Sequence, residues 1–329
     1  MTELKPRSEP KVSDTVCSID AAVTDRIGAT PLLALSRIVP AGCARILAKV
    51  ESANPTGSMK DRMAFAMIDA AARSGRLVPG QRVVEYTGGS TGVSLALVCA
   101  ARGHPLSIVT SDAFSAEKRN HMAALGAELT LVPSNAGGMD AALTRSMIDA
   151  AGEIAARTGA FWTDQLKNAD QLAAYHRMAD EIWRQTDGRI DAFVQCTGTA
   201  ASVRGVAEGL RLRNPNVGIV AVEPAESAVL SGGTTGVHRI EGIGAGFVVP
   251  LWKPSVADEI VAVSTDEAMD MARRLARIEA VFAGTSTGAN LVAAIQLAQR
   301  LGNGATIVTV ICDSGIKYLS TRLYDNARP

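Results

Sequence analysis

The sequence predicts an α/β protein in which parallel sheets are covered by helices on both faces. Short runs rich in β-branched residues alternate with longer alanine-rich runs along most of the chain, and repeated strand–helix units of this kind form parallel sheets. The 329 residues are about twice the ~150 residues expected of one domain, so we expect two domains. The sequence contains no internal repeat and no low-complexity segment.

The strand candidates are short runs with the length and composition of buried strands. They lie at 46–50, 82–86, 106–110 and 128–132 in the first half, and at 192–196, 217–222, 260–263 and 306–311 in the second. The helix candidates begin near Ser, Thr, Asp or Gly and end near Gly, as helix caps require. They lie at 62–74, 91–102, 115–125, 139–157, 200–212, 265–278 and 287–301. We expect residues 1 to 20 to form a tail and the two halves to join near residues 152–164.

The composition indicates an ordinary folded protein, with 47% apolar and 20% charged residues. Basic and acidic residues each number 33, so the net charge is zero, which argues against nucleic acid or an anionic membrane as a partner. No apolar stretch approaches the ~18 residues of a membrane span, and the polar N-terminus lacks the apolar core of a secretion signal. Five scattered cysteines do not make a disulfide framework. We therefore expect a soluble cytoplasmic protein.

Three turns combine glycine with hydroxyl residues, each after a strand and at the start of a helix. They lie at 87–92, 196–200 and 284–288. Backbone N–H groups at a helix start, together with hydroxyl donors, bind anions. One such turn can simply connect a strand to a helix, but three favour a small ligand with more than one anionic group, such as a phosphate plus a carboxylate. Ligands of parallel α/β folds bind at the carboxyl ends of strands, where these turns lie.

Other catalytic and nucleotide-binding motifs fail. The sequence has no P-loop, and segment 242–247 places Phe247 where a dinucleotide fingerprint needs its third glycine. Segment 284–288 matches G-x-S-x-G, but a hydrolase needs a histidine after the serine, and all four histidines precede Ser286. Segment 314–317 matches S-x-x-K without the companion motifs of a β-lactamase. The histidines and cysteines lack metal-ligand spacing, so no metal is predicted.

Lys60 is the lysine placed for covalent chemistry. It follows a strand and begins an apolar helix face within segment 54–62, where partial desolvation lowers an amine pKa and suits imine formation. For Lys60 taken alone, an ion pair with Glu51 or Asp61 is the better interpretation, and most other lysines are interpreted as solvated. A lysine for an imine, a phosphate site and a carboxylate site together are what a pyridoxal-phosphate enzyme needs for amino-acid chemistry.

With these features in order, the sequence resembles the cysteine synthase/cystathionine β-synthase family, the fold-type-II pyridoxal-phosphate enzymes. The resemblance covers nearly the whole chain and rests on segments 27–32, 54–62, 222–224, 227–233, 242–247 and 313–321. It implies an α/β fold of two doubly wound, three-layer domains of tryptophan synthase β-like type, with pyridoxal 5'-phosphate in the cleft between them. The implied division is a tail at 1–20, a smaller, mobile domain at 45–158 that carries the substrate-carboxylate loop, and a larger cofactor-binding domain of 21–44 plus 159–329.

The resemblance also implies a role for individual residues. Lys60 matches the lysine that forms the imine with the cofactor and acts as the catalytic base. The other cofactor-binding positions are Ser90 at the ring oxygen, Ser286 at the pyridine nitrogen, and the phosphate loop of Cys196, Thr197, Gly198, Thr199 and Ala200. The substrate-binding positions are Thr87, Gly88, Gly89, Ser90, Thr91, Gln165 and Gly242.

The reaction implied by the resemblance is β-replacement. An O-activated L-serine such as O-acetylserine loses its β-substituent through an aminoacrylate intermediate, and sulfide or another nucleophile adds to give L-cysteine or a related β-substituted alanine. The neutral hydroxyl of Ser286 favours this loss over a long-lived carbanion. The family usually has asparagine in place of Ser90, glycine in place of Cys196 and threonine in place of Ala200. Because of these departures, the sequence does not identify the substrate.

Several alternatives remain at this stage. Elimination by a cysteine desulfhydrase or a serine/threonine dehydratase, and cystathionine β-synthase activity, use the same chemistry. A non-catalytic cofactor-binding homologue is the alternative from another class, against which the retained Lys60 argues. The family further suggests a homodimer whose partners are an amino-acid substrate and a thiol, sulfide or other nucleophile.

Overall fold

The computed structural model describes residues 20–134 and 140–325, and the α/β class with parallel sheets is confirmed. Nearly all of the predicted tail at 1–20 and the first residue of the helix predicted at 139–157 lie outside the described residues. The strands are β1 (Leu32–Leu35), β2 (Arg45–Val50), β3 (Val83–Tyr86), β4 (Leu106–Ser111), β5 (Glu128–Val132), β6 (Phe161–Trp162), β7 (Ala192–Cys196), β8 (Gly218–Pro224), β9 (Glu259–Val263) and β10 (Thr306–Ile311). The helices are α1 (Lys60–Arg73), α2 (Ser90–Arg102), α3 (Ala116–Ala124), α4 (Ala141–Thr158), α5 (Leu172–Gln185), α6 (Ala201–Arg211), α7 (Thr265–Glu279) and α8 (Thr285–Leu301). Within these described ranges, no helix combines the length and apolar character needed to cross a membrane.

Six strands form the larger sheet, in the order β1-β2-β10-β7-β8-β9. Neighbouring strands are parallel except for β1 and β2, which are antiparallel. All residues of β7 and β10 are buried, as expected when helices cover both faces of a parallel sheet. Leu275 of α7 and Leu291 of α8 belong to one core of this sheet, whereas Phe193 of β7 packs in the other core with Val206 of α6.

Four parallel strands form the smaller sheet, in the order β5-β4-β3-β6. Val84 and Ile108 are fully buried at its centre. Met63 of α1, Leu95 of α2 and Met147 of α4 complete this core, so the helices that follow the strands in sequence also cover them in space.

The predicted elements are present with ends that differ by at most two residues, and three further elements are not predicted: β1, β6 and α5. The strands β1 and β6 have only four and two residues, too few for a clear pattern. Helix α5 does carry a signal, because Leu172, Tyr175, Met178 and Ile182 recur at helical spacing and are buried.

Strand pairing differs from the predicted domain division at two places. Strand β2 belongs to the larger sheet because it pairs with β1 and β10, although the division assigns it to the smaller domain. Strand β6 belongs to the smaller sheet because it pairs with β3, although the division assigns it to the larger domain. The chain therefore crosses to the smaller sheet after β2 and returns after β6. The independent movement of the two domains stays a prediction.

A buried cluster of charges anchors the crossing from β2 to α1. Arg62, in the first turn of α1, donates from Nε to Oε2 of Glu51 at 2.7 Å and from its two Nη atoms to the carboxylate of Glu181 on α5 at 2.8 and 2.7 Å. Lys49 Nζ lies 2.7 Å from Oε2 of Glu181. Glu51 and Lys49 are fully buried, so each charge is balanced by an opposite charge and not by water. The cluster fixes the position at which α1 begins.

Candidate active site

Lys60 begins α1 and lies in the cleft between the two sheets. The loop before it is held on the larger sheet, where the N–H of Met59 donates to the carbonyl of Cys312 at 2.9 Å and Ser58 forms a β-bridge with Asp313. Burial lowers the pKa of the Lys60 amine below its usual value, because the charged form loses hydration. The amine is thus placed and adjusted for chemistry that needs its neutral form.

The two ion-pair partners considered for Lys60 are engaged elsewhere. Glu51 is bound by Arg62. Asp61 accepts hydrogen bonds from Thr56 Oγ1 at 2.5 Å and Ser94 Oγ at 2.6 Å. The ion-pair interpretation of Lys60 is therefore wrong: Lys60 pairs with neither carboxylate and lines the cleft.

The turn after β3 has the geometry of an anion site. Thr87 Oγ1 accepts hydrogen bonds from the N–H of Gly89 at 2.9 Å and of Gly92 at 3.3 Å, which shapes the turn into the N-terminus of α2. Gly89 has a φ of +132°, a conformation that favours glycine, and a Cβ there would collide with the side chain of Lys118. Residues 87–91 all line the wall of the cleft that contains Lys60. A free helix N-terminus at this wall attracts an anion.

Gln165 is fixed in the same wall by a buried carboxylate, Glu85. Gln165 accepts from Thr91 Oγ1 at 2.9 Å and donates through Nε2 to the carbonyl of Tyr86 at 2.7 Å. Glu85 Oε2 accepts from the N–H of Gln165 at 2.9 Å and from Thr163 Oγ1 at 2.5 Å. Burial raises the pKa of Glu85 to about 7, although these hydrogen bonds oppose the rise. The sequence analysis misses Glu85, whose signal is a single charge within an apolar strand.

The loop after β7 contains a buried hydroxyl that lacks a partner. Thr197 is 4% exposed, and its Oγ1 has no hydrogen-bond partner among the described residues. Gly198 packs on the opposite side of the cleft, where a Cβ would lie 2.5 Å from the carbonyl oxygen of Gly242. Ala200 has a φ of +67° immediately before α6, while Thr199 Oγ1 donates to Gln171 at 3.2 Å. The loop therefore presents a hydroxyl and a helix N-terminus to whatever it binds.

Cys196 and Ser286 meet where α8 begins. Ser286 is the second residue of α8 and is 5% exposed. Cys196 Sγ lies 3.4 Å from the carbonyl oxygen of Ser286, and the N–H of Cys196 donates to Asn290 Oδ1 at 2.6 Å. Burial raises the pKa of the Cys196 thiol well above its usual value, so the thiol is protonated. The sequence analysis misses Asn290, which also donates to the carbonyl of Val310 at 2.9 Å and so joins α8 to β7 and β10.

Ser90 forms a hydrogen bond across the cleft. Its Oγ donates to Oδ2 of Asp313 at 3.1 Å, and the same oxygen accepts from the hydroxyl of Tyr318 at 2.8 Å. The other oxygen of Asp313, Oδ1, is buried without a partner among the described residues. Asp313 thereby connects the larger sheet to the N-terminus of α2. The role of Ser90 at the ring oxygen of the cofactor stays a prediction.

Solvation is the wrong interpretation for three lysines. Lys49, Lys118 and Lys317 are at most 5% exposed. Lys118 Nζ lies 2.6 Å from Oε2 of Glu241 and 4.0 Å from the centre of the Tyr318 ring, so it also spans the cleft. Across residues 20–134 and 140–325, no group of three or more histidine, cysteine or acidic side chains is arranged to hold a metal.

In this fold a lysine at a helix start lies in a cleft lined by two glycine-rich loops that each precede a helix, an arrangement suited to a cofactor with an anionic group. Residues 23–313 match the family described as pyridoxal-phosphate dependent enzyme, and the chain belongs to this family. Among curated relatives it is similar to the cysteine synthase of Staphylococcus aureus strain Mu50. The two are 41% identical over 304 residues, which cover 92% of this chain and 96% of the relative.

Solved structures of three relatives are similar over nearly their whole length. An O-ureido-L-serine synthase has a TM-score of 0.88 at 36% identity, covering 94% of this chain and 96% of that one. The cysteine synthase of Entamoeba histolytica has a TM-score of 0.88 at 36% identity, covering 98% and 94%. A hydrogen sulfide-producing enzyme of Fusobacterium nucleatum has a TM-score of 0.87 at 33% identity, covering 92% and 100%.

The residues of the cleft fit the cofactor of the family, pyridoxal 5'-phosphate. Lys60 offers an amine with a lowered pKa. The unpartnered hydroxyl of Thr197 is costly to bury unless a ligand satisfies it, and a phosphate oxygen is a suitable acceptor. Gly198 adjoins this hydroxyl and lines the cleft that contains Lys60, and a Cβ there would lie 2.5 Å from the carbonyl oxygen of Gly242.

Proposed function

We propose that this chain catalyses β-replacement on an O-activated L-serine such as O-acetylserine, with sulfide or another nucleophile as the second substrate. The observation that carries the proposal is the amine of Lys60, whose pKa is lowered by burial and which shares its cleft with the turn at 87–91 and with Gly198 and Thr199. The 41% identity to a protein named cysteine synthase supports the choice of reaction. The similar structures named O-ureido-L-serine synthase and hydrogen sulfide-producing enzyme make the nucleophile the point to be tested.

In this proposal the turn after β3 binds the substrate carboxylate. The N–H groups at the start of α2 and the hydroxyl of Thr91 are donors suited to a carboxylate. Gln165 accepts the Thr91 hydroxyl proton at 2.9 Å and so holds that side chain at the wall until a substrate competes for it. Gly242, with a φ of +87°, bounds the opposite side of the cleft.

Proton transfer belongs to Lys60. Pyridoxal phosphate, when bound, withdraws electrons from the α-carbon of an amino acid. The lowered pKa of Lys60 favours the neutral amine, which can take the α-proton and later return it. The cofactor phosphate is assigned to Thr197, Gly198 and the N-terminus of α6. Ser286 is an uncharged hydroxyl, which does not hold a proton on a ring nitrogen as a carboxylate would, and this favours departure of the β-substituent together with the α-proton.

In this proposal the smaller sheet and its helices move as one domain, close the cleft and exclude water from it. Two contacts support this closure because they join α2 and α3 to segments connected to the larger sheet: Ser90 to Asp313, after β10, at 3.1 Å, and Lys118 to Glu241, between β8 and β9, at 2.6 Å. The proposal also includes a cytoplasmic homodimer, on the basis of the family resemblance.

The visible absorption of the purified holoenzyme, recorded before and after addition of O-acetylserine and then of sulfide, tests the reaction. We expect a shift to longer wavelength with O-acetylserine, its reversal by sulfide, and L-cysteine by mass spectrometry. Lys60→Ala should abolish both the shift and the product. Lys253→Ala is the matched control, because Lys253 is exposed and lies outside the cleft.

The products distinguish the outcomes. Pyruvate formed equally with and without sulfide would make the chain an elimination lyase and contradict β-replacement. A shift that reverses with a nucleophile other than sulfide would keep the reaction and change the second substrate. A protein that does not take up pyridoxal phosphate would refute the proposal altogether.

A further inference from the structure

A second, larger cavity lies beside the catalytic cleft. It encloses about 550 Å³, within the ~300–1,000 Å³ range of small-molecule pockets. Its walls are the segment 112–116 before and at the start of α3, the segment 238–241, and the turn 320–323. Glu241 lines both this cavity and the cleft that contains Lys60, and its ion pair with Lys118 stands between the two spaces.

The charge available in this cavity is positive. Arg119, Arg239 and Arg322 line it. Arg239 and Arg322 are exposed, and within the described residues their hydrogen bonds use only the backbone, the N–H of Arg239 and the carbonyl of Arg322. Two carboxylates also line the cavity: Glu241 is paired with Lys118 at 2.6 Å, and the single negative charge of Asp112 is outnumbered by the three guanidinium groups.

The start of α3 adds uncharged donors at the same wall. Ser115 precedes this nine-residue helix, is 4% exposed, and its Oγ has no hydrogen-bond partner among the described residues. A serine at this position usually accepts a hydrogen bond from the first turn of its helix, but Ser115 does not. The hydroxyl and the first N–H groups of α3 are therefore both available to a ligand.

We propose that this cavity binds a small organic oxyanion, a carboxylate or a phosphate ester, outside the cofactor cleft. Ser115 and the N-terminus of α3 hold the oxyanion, and the guanidinium groups of Arg239 and Arg322 pair with its charge, since guanidinium binds both kinds of oxyanion bidentately. His238 also lines the cavity but contributes no charge. Its Nε2 lies 2.9 Å from the carbonyl oxygen of Gly244, and burial lowers the pKa of its imidazole.

Calorimetric titration of the holoenzyme with inorganic phosphate and, separately, with succinate tests this site without any turnover. We expect saturable binding of at least one probe, weakened by about tenfold or more when both Arg239→Gln and Arg322→Gln are present. Arg274→Gln should leave binding unchanged, because Arg274 is exposed on α7 and does not line the cavity. The visible absorption of the cofactor should stay constant during the titration, which separates this site from the catalytic cleft.

Ser115→Ala provides a second test that does not depend on surface charge. It should weaken binding of the same probe while the circular dichroism spectrum is retained. Binding of phosphate alone assigns the site to phosphate esters, and binding of succinate alone assigns it to carboxylates. The proposal is overturned if neither probe binds, or if the double arginine variant binds as tightly as the wild type.

Discussion

Replacing Arg62 with methionine should destabilise the protein far more than the loss of a surface ion pair. Arg62 is 4% exposed and makes four hydrogen bonds of 2.7–2.8 Å to the carboxylates of Glu51 and Glu181. Methionine is long and apolar and fills much of the same space, so the main loss is electrostatic. Glu51 is fully buried and would lose the cation that pairs with it directly, so that Lys49 alone would face the two carboxylates of the cluster. Breaking a buried ion pair on one side costs about 3–5 kcal/mol.

Urea unfolding followed by circular dichroism near neutral pH measures this loss in free energy of unfolding. Arg76→Met is the matched control, because Arg76 pairs with Asp170 at 2.6 Å but its side chain is 49% exposed, and such pairs contribute only about 0–1 kcal/mol. Equal losses in the two variants would refute the assignment of Arg62 as the anchor of the crossing between the sheets.

Acid titration of the same variant gives an independent check. Burial raises the pKa of Glu181, but the hydrogen bonds and charges of Arg62 and, to a smaller extent, Lys49 outweigh this and hold it at about 2, below the usual 4.5. The ionised carboxylate therefore stabilises the wild type above about pH 4.5, and this stabilisation is lost as the pH falls toward 2. In Arg62→Met the stability should depend less on pH in this window.

Three further substitutions test the catalytic cleft. Gly198→Ala should weaken pyridoxal-phosphate binding by about tenfold or more, because the added methyl group would lie 2.5 Å from the carbonyl oxygen of Gly242. A cofactor titration of the apoenzyme measures this affinity, and an unchanged affinity would contradict the loop geometry. Thr91→Val should raise KM for the amino-acid substrate by about tenfold with a smaller change in kcat. The reason is that the 2.9 Å hydrogen bond from Thr91 to Gln165 and a donor to the substrate are both lost. Steady-state kinetics in which only kcat falls would argue against a binding role for Thr91. Glu85→Gln should make stability depend less on pH. The pKa of the Glu85 carboxyl is about 7 in the folded state, above the usual 4.5, so the wild type loses stability as the pH rises from about 4.5 to about 7. Thermal unfolding at about pH 5 and pH 8 measures this, and parallel pH dependences in the two proteins would speak against it.

The local part of the fold could be predicted because burial on both faces leaves a local pattern. Strands such as β7 and β10 are apolar over most of their length, and both ends of each coincide with the predicted ranges, 192–196 and 306–311. The sheet that a strand joins is not a local property. Strand β2 is close in sequence to α1, yet it pairs with β10, more than two hundred residues further along the chain, and no pattern within 45–50 indicates that pairing.

The candidate site divides in the same way. Lys60 and the glycine-rich turns could be singled out because the chemistry of each is contained in a short segment. The burial of Lys118 could not, because its partner Glu241 is 123 residues away in sequence and the ring of Tyr318 comes from the end of the chain. Glu85 was detectable as a charge inside a strand, but its function in holding Gln165 depends on a contact across 80 residues.

The crossing from β2 to α1 has a mechanical consequence for the site. Lys60 lies where the chain leaves the larger sheet, the charge cluster of Arg62 ties this point to α5, and α1 then packs against α2. Points near the axis of a rotation travel least, so the proposed closure, if it turns about this crossing, moves the turn at 87–92 further than Lys60. The amine would then keep its distance from the loop after β7, and capture of substrate would be mechanically separated from retention of the cofactor.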